Sequence, residues 1–339
     1  MKTKFPFLIR PTYVFIGLFV CIALSADFAF SKWIIMKSEL SNEGKLNRLL
    51  TDNAPDEIPV FGSSKARSAF IPDTLGKNVF NYGMEKCGFD VINFLLSIEL
   101  EKEKTSPIYI EFNHRSFISD PSHTVNASTY VPNLEHERVA HFLEQNESLE
   151  FRYRIPGLRY FGSYFYYLRY FIKEKSGSNK IVSRGGNFSK FELSERVFST
   201  LVENRLKLIQ QREELEYALQ HKEEVISSAG RKKLETLHSY LQFTYSKTLV
   251  RNFKELAAGH PNREIYLIQT PRHWSETRGV GNIEEMEAFY KQLDSELNNV
   301  HVIDLSSLPI ADSGFKNTSH LNLTGAQLFS AALRKELGH

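Results

Sequence analysis

Apolar and polar positions follow two different patterns along the chain, and the first is a single long apolar run. It extends from about Tyr13 to Phe30, and its only charge is Asp27. This length is close to the ~20 residues that a helix needs to cross a bilayer. Two lysines and Arg10 precede it, so the positive-inside rule predicts a cytoplasmic N-terminus and a main body outside the cytoplasm.

A cleaved signal peptide is the alternative, because Ala23-Leu24-Ser25-Ala26 offers small residues to a peptidase. The apolar character continues beyond that site through Trp33-Ile34-Ile35-Met36, which favours an uncleaved anchor. We therefore predict a cytoplasmic tip and transmembrane anchor over residues 1–36. The polar residues 37–57 are predicted as a stalk. The protein is expected in the cell (inner) membrane as a single-pass protein whose main domain faces the periplasm or the cell exterior.

The second pattern is an alternation of short apolar strands with amphipathic helices, which predicts a parallel sheet with covering helices. Residues 58–339 are predicted to form this α/β domain. The predicted strands are 58–61, 78–83, 107–113, 263–271 and 300–305, and the predicted helices between them are 90–103, 283–298 and 324–337.

The alternation breaks off between about 117 and 258, where a helical insertion is predicted. Ile155–Lys173 has helical apolar spacing with interleaved basic residues. It is interpreted either as a helix packed on the domain or as an amphipathic helix resting on the membrane surface or on a membrane partner. The apolar spacing over residues 192–228 predicts a helical arm or helical hairpin with one packed apolar stripe. A further helix is predicted over 232–258.

Composition excludes several classes of function. The formal net charge is +2 over 339 residues, so electrostatics give no case for nucleic-acid binding. The two cysteines, Cys21 and Cys87, are not expected to pair. No metal-ligand or nucleotide-binding motif occurs, and no cofactor is predicted.

Two distant segments carry the candidate chemistry. Ser64 follows Gly62 at the end of the first predicted strand, and His320 stands just before the closing helix. Active sites collect at the carboxyl edge of such sheets, and a serine nucleophile and its base need to meet only in space. The structural alternatives are a serine that caps a helix and a histidine at the surface or at a helix cap.

Four short blocks resemble the SGNH (GDSL-like) hydrolase superfamily, and more closely its membrane-anchored DltD-like and alginate O-acetyltransferase-like branch. The resemblance covers roughly 58–113 and 263–339, and its most specific part is His320-Leu-Asn-x-x-Gly-Ala. The matching blocks are Gly62-Ser63-Ser64, Asn81-Tyr82-Gly83, Asn113 after the third strand, and Asn317-Thr318-Ser319-His320.

The resemblance implies a flavodoxin-like sheet and a serine esterase or acyltransferase. In these terms Ser64 is the nucleophile and His320 the base, while Gly83 and Asn113 are oxyanion donors. Gly83 is otherwise a plain turn residue, and Asn113 otherwise caps a loop. The implied substrate is an acyl group, expected to be acetyl, on a cell-surface polysaccharide or acyl-sugar. The branch often works with a membrane-bound acyl-donor protein, which makes such a protein an expected partner.

Two residues depart from the family pattern. Ser63 replaces the usual Asp beside the nucleophile, and Asn317 replaces the triad acid. A neutral amide cannot stabilise an imidazolium and can select the wrong tautomer. His320 then works with Ser64 as a dyad, or another carboxylate such as Asp312 serves, or the site binds without turnover. The alternative function is accordingly a non-catalytic envelope protein that binds glycan or an assembly partner.

Two basic pairs follow predicted strands and are expected at the same edge as Ser64. They are His114-Arg115 and Arg272-His273. They are interpreted either as contacts for an anionic or sugar substrate or as solvated loop residues.

Overall fold

The computed structural model describes residues 6–117, 125, 127–146, 148–160, 162–176, 180–190, 194–221, 237, 241–278 and 280–338. The chain divides into two compact units. One comprises Met1–Thr51 with Val125–Ser178, and the other comprises Asp52–Thr124 with Asn179–His339.

The helices and strands are numbered in chain order. The α-helices are α1 (Pro6–Phe30), α2 (Asn42–Thr51), α3 (Ser64–Ala69), α4 (Pro72–Leu75), α5 (Phe89–Leu100), α6 (Glu137–Gln145), α7 (Tyr164–Lys175), α8 (Glu195–His221), α9 (Lys247–Ala258), α10 (Trp274–Thr277), α11 (Ile283–Glu296) and α12 (Leu323–Glu336). The strands are β1 (Ile58–Phe61), β2 (Val79–Asn81), β3 (Ile108–Phe112), β4 (Lys180–Ser183), β5 (Gly186–Ser189), β6 (Ile265–Gln269), β7 (Val300–Asp304), β8 (Phe315–Asn317) and β9 (His320–Leu321).

The unit that contains the N-terminus is organised around helix α1. Among the described residues, one helical stretch, Pro11–Ile35, is long and apolar enough to cross a membrane. Its single acid, Asp27, is buried. The Asp27 carboxylate accepts hydrogen bonds from the backbone N–H of Gly157 at 3.0 Å and from the guanidinium of Arg159. The charge inside the apolar helix is therefore neutralised by a cation from its own unit.

The predicted stalk, as far as Thr51, is instead folded into this unit. Helix α2 lies within residues 37–57, and Leu46 and Leu49 are fully buried. Gly44 makes the close approach possible, because a Cβ there would lie 1.8 Å from the carbonyl oxygen of Ser38. The polar composition of the segment conceals two apolar side chains at helical spacing, which is why it is predicted as solvated.

Helix α7 begins later than the predicted helix 155–173. Gly157 and Gly162 have φ values of +84° and +83°, a left-handed conformation that glycine adopts readily and that interrupts a right-handed helix. The segment before Tyr164 is therefore a series of turns.

The second unit contains the predicted parallel sheet. Its five strands lie in the order β2-β1-β3-β6-β7, and every neighbouring pair is parallel. The chain order reverses between β1 and β3, and in doubly wound sheets ligands bind at the carboxyl edge beside such a reversal. Most apolar residues on β1, β3 and β6 are buried, as expected for strands covered by helices on both faces.

The last helix packs against the first helices of the same unit. The hydroxyl of Ser330 on α12 donates to the carbonyl of Ala69 at 3.0 Å and accepts from the N–H of Ile71 at 2.9 Å. The rings of Phe70 and Phe329 meet edge to face with centroids 5.0 Å apart. Residues more than 250 positions apart are thereby held together.

Part of the predicted insertion differs from expectation. A two-stranded antiparallel ladder, β4–β5, follows α7, and β5 lies against α3. The predicted helix 192–228 begins at Glu195 and is described as far as His221. Within the predicted helix 232–258, Leu237 and Leu241 are helical, and residues 242–246 interrupt the helix. Helix α9 then begins at Lys247, where Ser246 caps it by accepting from the Leu249 N–H. Residues 222–236 and 238–240 lie outside the described residues.

Replacing Asn81 with alanine is expected to destabilise the sheet unit. Its buried amide donates to the carbonyls of Ala66 and Phe70 and accepts from the N–H of Gly83, each at 2.9 Å. Leaving these buried groups unsatisfied costs roughly 2–4 kcal/mol of unfolding free energy. Urea unfolding of the detergent-solubilised chain measures this loss. The exposed Asn298→Ala is the control, and an equal effect of both substitutions would contradict the role given to Asn81.

Candidate active site

Ser64 is presented by a sharp turn between β1 and α3. Gly62 has φ of +146°, and a Cβ there would lie 2.7 Å from Cβ of Glu111 and 2.8 Å from Cβ of Ala66. Only glycine fits this backbone and this space. Ser63 is the N-cap of α3, and its hydroxyl accepts from the N–H of Lys65. Ser64 is consequently the first helical residue, at the carboxyl edge of the sheet.

His320 reaches Ser64 from the short antiparallel ladder β8–β9. Asn317 and His320 are paired across this ladder, so that both side chains come to the same turn. Ser64 Oγ lies 2.8 Å from His320 Nε2, and His320 Nδ1 lies 2.9 Å from Asn317 Oδ1. The predicted nucleophile, base and acid-position residue therefore form one continuous hydrogen-bonded chain.

The tautomer of His320 follows from how Asn317 is held. Its Oδ1 also accepts from the backbone N–H groups of Ser319 at 3.0 Å and His320 at 2.8 Å. Two backbone donors require the oxygen of the amide, not its nitrogen, on that side. The imidazole must therefore carry its proton on Nδ1, and the bare Nε2 faces the hydroxyl of Ser64. The amide thus selects the tautomer that a general base needs.

Burial and nearby cations keep His320 neutral. Desolvation, followed by the charges of Lys65 and Lys316, lowers the pKa of His320 to about 4, against the opposing charges of Glu276 and Glu85. At neutral pH the ring is available to accept a proton. An imidazolium formed there is stabilised less than in a site with a triad carboxylate.

Glu276 on α10 is a carboxylate that the sequence did not single out. It accepts a hydrogen bond from Thr318 Oγ1 at 2.7 Å, inside the turn between Asn317 and His320. Burial raises the pKa of Glu276, but the Thr318 hydrogen bond and the charge of Arg205 outweigh burial and lower it. Glu276 is therefore ionised, and it orders the turn that carries the base.

Glu111 on β3 stabilises the turn between β1 and α3 through hydrogen bonds. Its buried carboxylate accepts from the hydroxyl of Ser63 at 2.9 Å and from the N–H of Ser63 at 3.3 Å. It also accepts from the side-chain amide of Asn113 at 3.2 Å. In the sequence, the signal for this role is a charged residue in an otherwise apolar strand.

The two predicted oxyanion donors, Gly83 and Asn113, lie in different surroundings. The N–H of Gly83 donates to Asn81 Oδ1, and a Cβ at Gly83 would lie 2.5 Å from the N of Arg67. The glycine thus allows β2 to approach α3, and its N–H is engaged elsewhere. Asn113 lines a cavity together with Ser64. Its amide group carries two N–H donors, one of which is directed to Glu111.

Asp312 and the two basic pairs are also located. Asp312 Oδ1 lies 3.1 Å from His273 Nε2, so it serves His273 and not His320. His273 and His114 are buried, and the guanidinium of Arg272 contacts Nδ1 of His114. Of these basic residues, Arg115 lines a cavity beside Ser64. The expectation of four solvated loop residues is not met, because three of them are buried.

Two cavities adjoin Ser64, and both carry an excess of cations. One of about 320 Å³ is lined by His320 and by Arg67, Lys86 and Lys316, with Glu85 as its carboxylate. The other, of about 260 Å³, is lined by Lys65, Lys86 and Arg115, with Glu111 as its carboxylate. Burial, followed by the charge of Arg272, lowers the pKa of Lys65 to about 8, so that it is mostly protonated at neutral pH.

Comparison with known proteins adds no identification. The chain matches no protein-family model and no curated protein. No group of three or more potential metal ligands occurs within the part of the chain that the structure describes.

Asn317→Asp is expected to raise the pKa of His320, because a carboxylate beside Nδ1 favours the charged ring. The wild-type ring should titrate near pH 4, and the variant should titrate at least about one unit higher. NMR of the His320 ring resonances against pH measures both values. Asn298→Asp adds the same charge at an exposed site and should leave the wild-type value. An unshifted His320 in Asn317→Asp would contradict the contact.

Proposed function

We propose that this protein is an envelope-anchored serine acyltransferase or esterase of the SGNH type, acting on acyl groups, most simply acetyl, of a cell-surface polysaccharide. The observation that carries the proposal is the hydrogen-bonded chain from Ser64 Oγ through His320 to Asn317, at 2.8 and 2.9 Å. The parallel sheet with the nucleophile turn after its first strand supports it.

The reaction follows from the positions of these atoms. Ser64 Oγ attacks the acyl carbonyl while His320 Nε2 takes the hydroxyl proton. The ester C–O bond then breaks, and His320 returns the proton to the departing alkoxide. A water or sugar hydroxyl next gives its proton to His320 and attacks the acyl-serine carbonyl. The acyl–Oγ bond then breaks, and His320 returns the proton to Ser64 Oγ.

The N–H of Ser64 and the amide of Asn113 are the groups suited to stabilise the oxyanion. An N–H at the first position of a helix has no acceptor within that helix, and Asn113 lines a cavity with Ser64. One such donor contributes about 10²–10³ in rate. Asn317 orients the ring but supplies no charge, so the half-buried anion of Glu276, bonded to Thr318, gives carboxylate support to the turn.

The cavities favour a glycan that carries negative charge. Lys65, Lys86 and Arg115 surround one cavity, and carboxylate or phosphate groups are their natural partners. Asn187 lines the other cavity, and its Oδ1 is buried without a hydrogen-bond partner among the described residues.

The N-terminal helix supports attachment to the cell membrane, with the catalytic unit in the periplasm or at the cell exterior. The basic residues before the span favour this orientation. A membrane-bound acyl-donor protein is the partner that an acyltransferase of this placement would need.

A second function is a non-catalytic glycan-binding protein on the same fold. The neutral Asn317 favours it, because an imidazolium at His320 lacks a directly bonded carboxylate. The cationic cavities serve binding equally well in this case.

Labelling by a fluorophosphonate probe separates the two functions. The wild type should react at Ser64, Ser64→Ala should not, and His320→Ala should react at least about 10²-fold more slowly. Ser68→Ala is the matched control, because Ser68 lies one helical turn away and lines the same cavity as Ser64. It should label like the wild type. Absence of wild-type labelling, or full labelling of Ser64→Ala, would refute the acyl-enzyme mechanism.

Lys86→Gln is expected to impair acidic substrates selectively, because Lys86 borders both cavities. For an acetylated uronic-acid oligosaccharide, kcat/KM should fall about two- to fivefold, which is the loss of one solvent-exposed charge contact. For an acetylated neutral oligosaccharide it should not change. Lys291→Gln, at an exposed position on α11, controls for net charge. An equal loss on both substrates would contradict charge recognition.

A further inference from the structure

Helix α7 and the turn before it carry apolar side chains that are exposed to solvent in the described structure. Phe165 is 87 % exposed, and its neighbours are 39–56 % exposed. We call this the aromatic surface, and it consists of Leu158, Phe165, Tyr166, Leu168 and Ile172. Phe165, Leu168 and Ile172 are spaced by three and four, which places them on one side of the helix. Aromatic and aliphatic side chains so exposed on one helix face mark an interaction site.

The other side of α7 is packed against the end of α1. The ring of Phe30 contacts the rings of Tyr160, Tyr164 and Tyr167 at centroid distances of 5.1–6.2 Å. The hydroxyl of Ser31 lies 2.6 Å from that of Tyr160. Tyr167 is buried. The position of α7 along α1 is therefore fixed within this unit.

The charges of α1 mark where the hydrocarbon core of a bilayer would end. Pro11–Ala26 carries no charge and is about 24 Å long as a helix, somewhat less than the ~30 Å hydrocarbon core. Asp27, with its partner Arg159, follows directly. An ion pair belongs at the edge of the core rather than inside it. The turn at Gly157–Arg159, and α7 after it, then lie at that edge.

We propose that the aromatic surface lies in the headgroup region of the bilayer that α1 crosses. Trp and Tyr rings are enriched at this depth, where their apolar bodies leave water and their polar groups remain hydrated. Phe and Leu side chains of a helix that lies in the interface are buried at the boundary between headgroups and acyl chains. Trp33, which is 64 % exposed, lies just after α1 in the segment Ser31–Ile35, which contacts α7. Arg169 follows Phe165 by one helical turn and is exposed, which suits it to lipid phosphates. The unit is thus held to the membrane by α7 as well as by α1.

The test uses the full chain in nanodiscs of phosphatidylcholine, with or without lipid brominated near the headgroup end of its acyl chains. The chain has two tryptophans, Trp33 and Trp274. Trp274→Phe leaves Trp33 as the reference for the end of α1. A probe is then placed by Phe165→Trp in a chain that also carries Trp33→Phe and Trp274→Phe. Gln145→Trp in the same background is the control, because Gln145 is exposed on the polar side of α6 in the same unit.

Tryptophan 33 and the probe at position 165 should each lose about half or more of their emission to the brominated lipid, as expected for rings at the interface. The control at position 145 should keep its emission and be quenched by aqueous acrylamide. A probe quenched only by acrylamide would place the surface in water and overturn the proposal. A probe that neither agent quenches would show a protein partner or a second copy on the surface, which also overturns it. A second probe, Ile172→Trp, checks that the result does not depend on one substitution.

Discussion

The packing of α12 on α3 and α4 is the constraint on which the candidate site depends. Ser330 ties the last helix to the backbone at Ala69 and Ile71, and Phe329 meets Phe70. This contact closes the sheet unit on itself and brings the β8–β9 turn beside the β1–α3 turn. A hydrogen bond between residues 64 and 320 needs both turns to be held to within a few tenths of an ångström. Packing, rather than the hydrogen bond itself, supplies that precision.

Two carboxylates, one buried and one half-buried, then hold each turn in place. Glu111 supports the nucleophile side through Ser63, and Glu276 supports the base side through Thr318. Each is tied to a residue beside the reacting group rather than to the group itself. Glu276 is hydrogen-bonded to Thr318, whereas the imidazole of His320 is hydrogen-bonded to the neutral Asn317. Asn317 is left with the task of orienting the ring, for which its oxygen is held by two backbone N–H groups.

The N-terminal unit solves a different physical problem. An acid within an apolar helix is costly unless a cation neutralises it, and Arg159 does so for Asp27. That pairing also requires the segment around Gly157 to lie against the end of α1. Neutralising this one charge thereby fixes the position of α7 along α1. Residues that look like an insertion in the sequence therefore belong to the N-terminal unit.

The sequence by itself determined the local features of this protein. Alternating strands and helices identified the parallel sheet, the apolar run identified α1, and glycine next to serine after a strand identified the turn at Ser64. These are properties of neighbouring residues, which periodicity and backbone preference make visible. The folding of residues 37–57, the β4–β5 ladder and the partners of Gly83 and Asp312 were decided only by tertiary structure. So were the positions of Glu111 and Glu276, because each carboxylate is placed by contacts with residues some 40–50 positions away, and no local pattern records which distant side chains will meet.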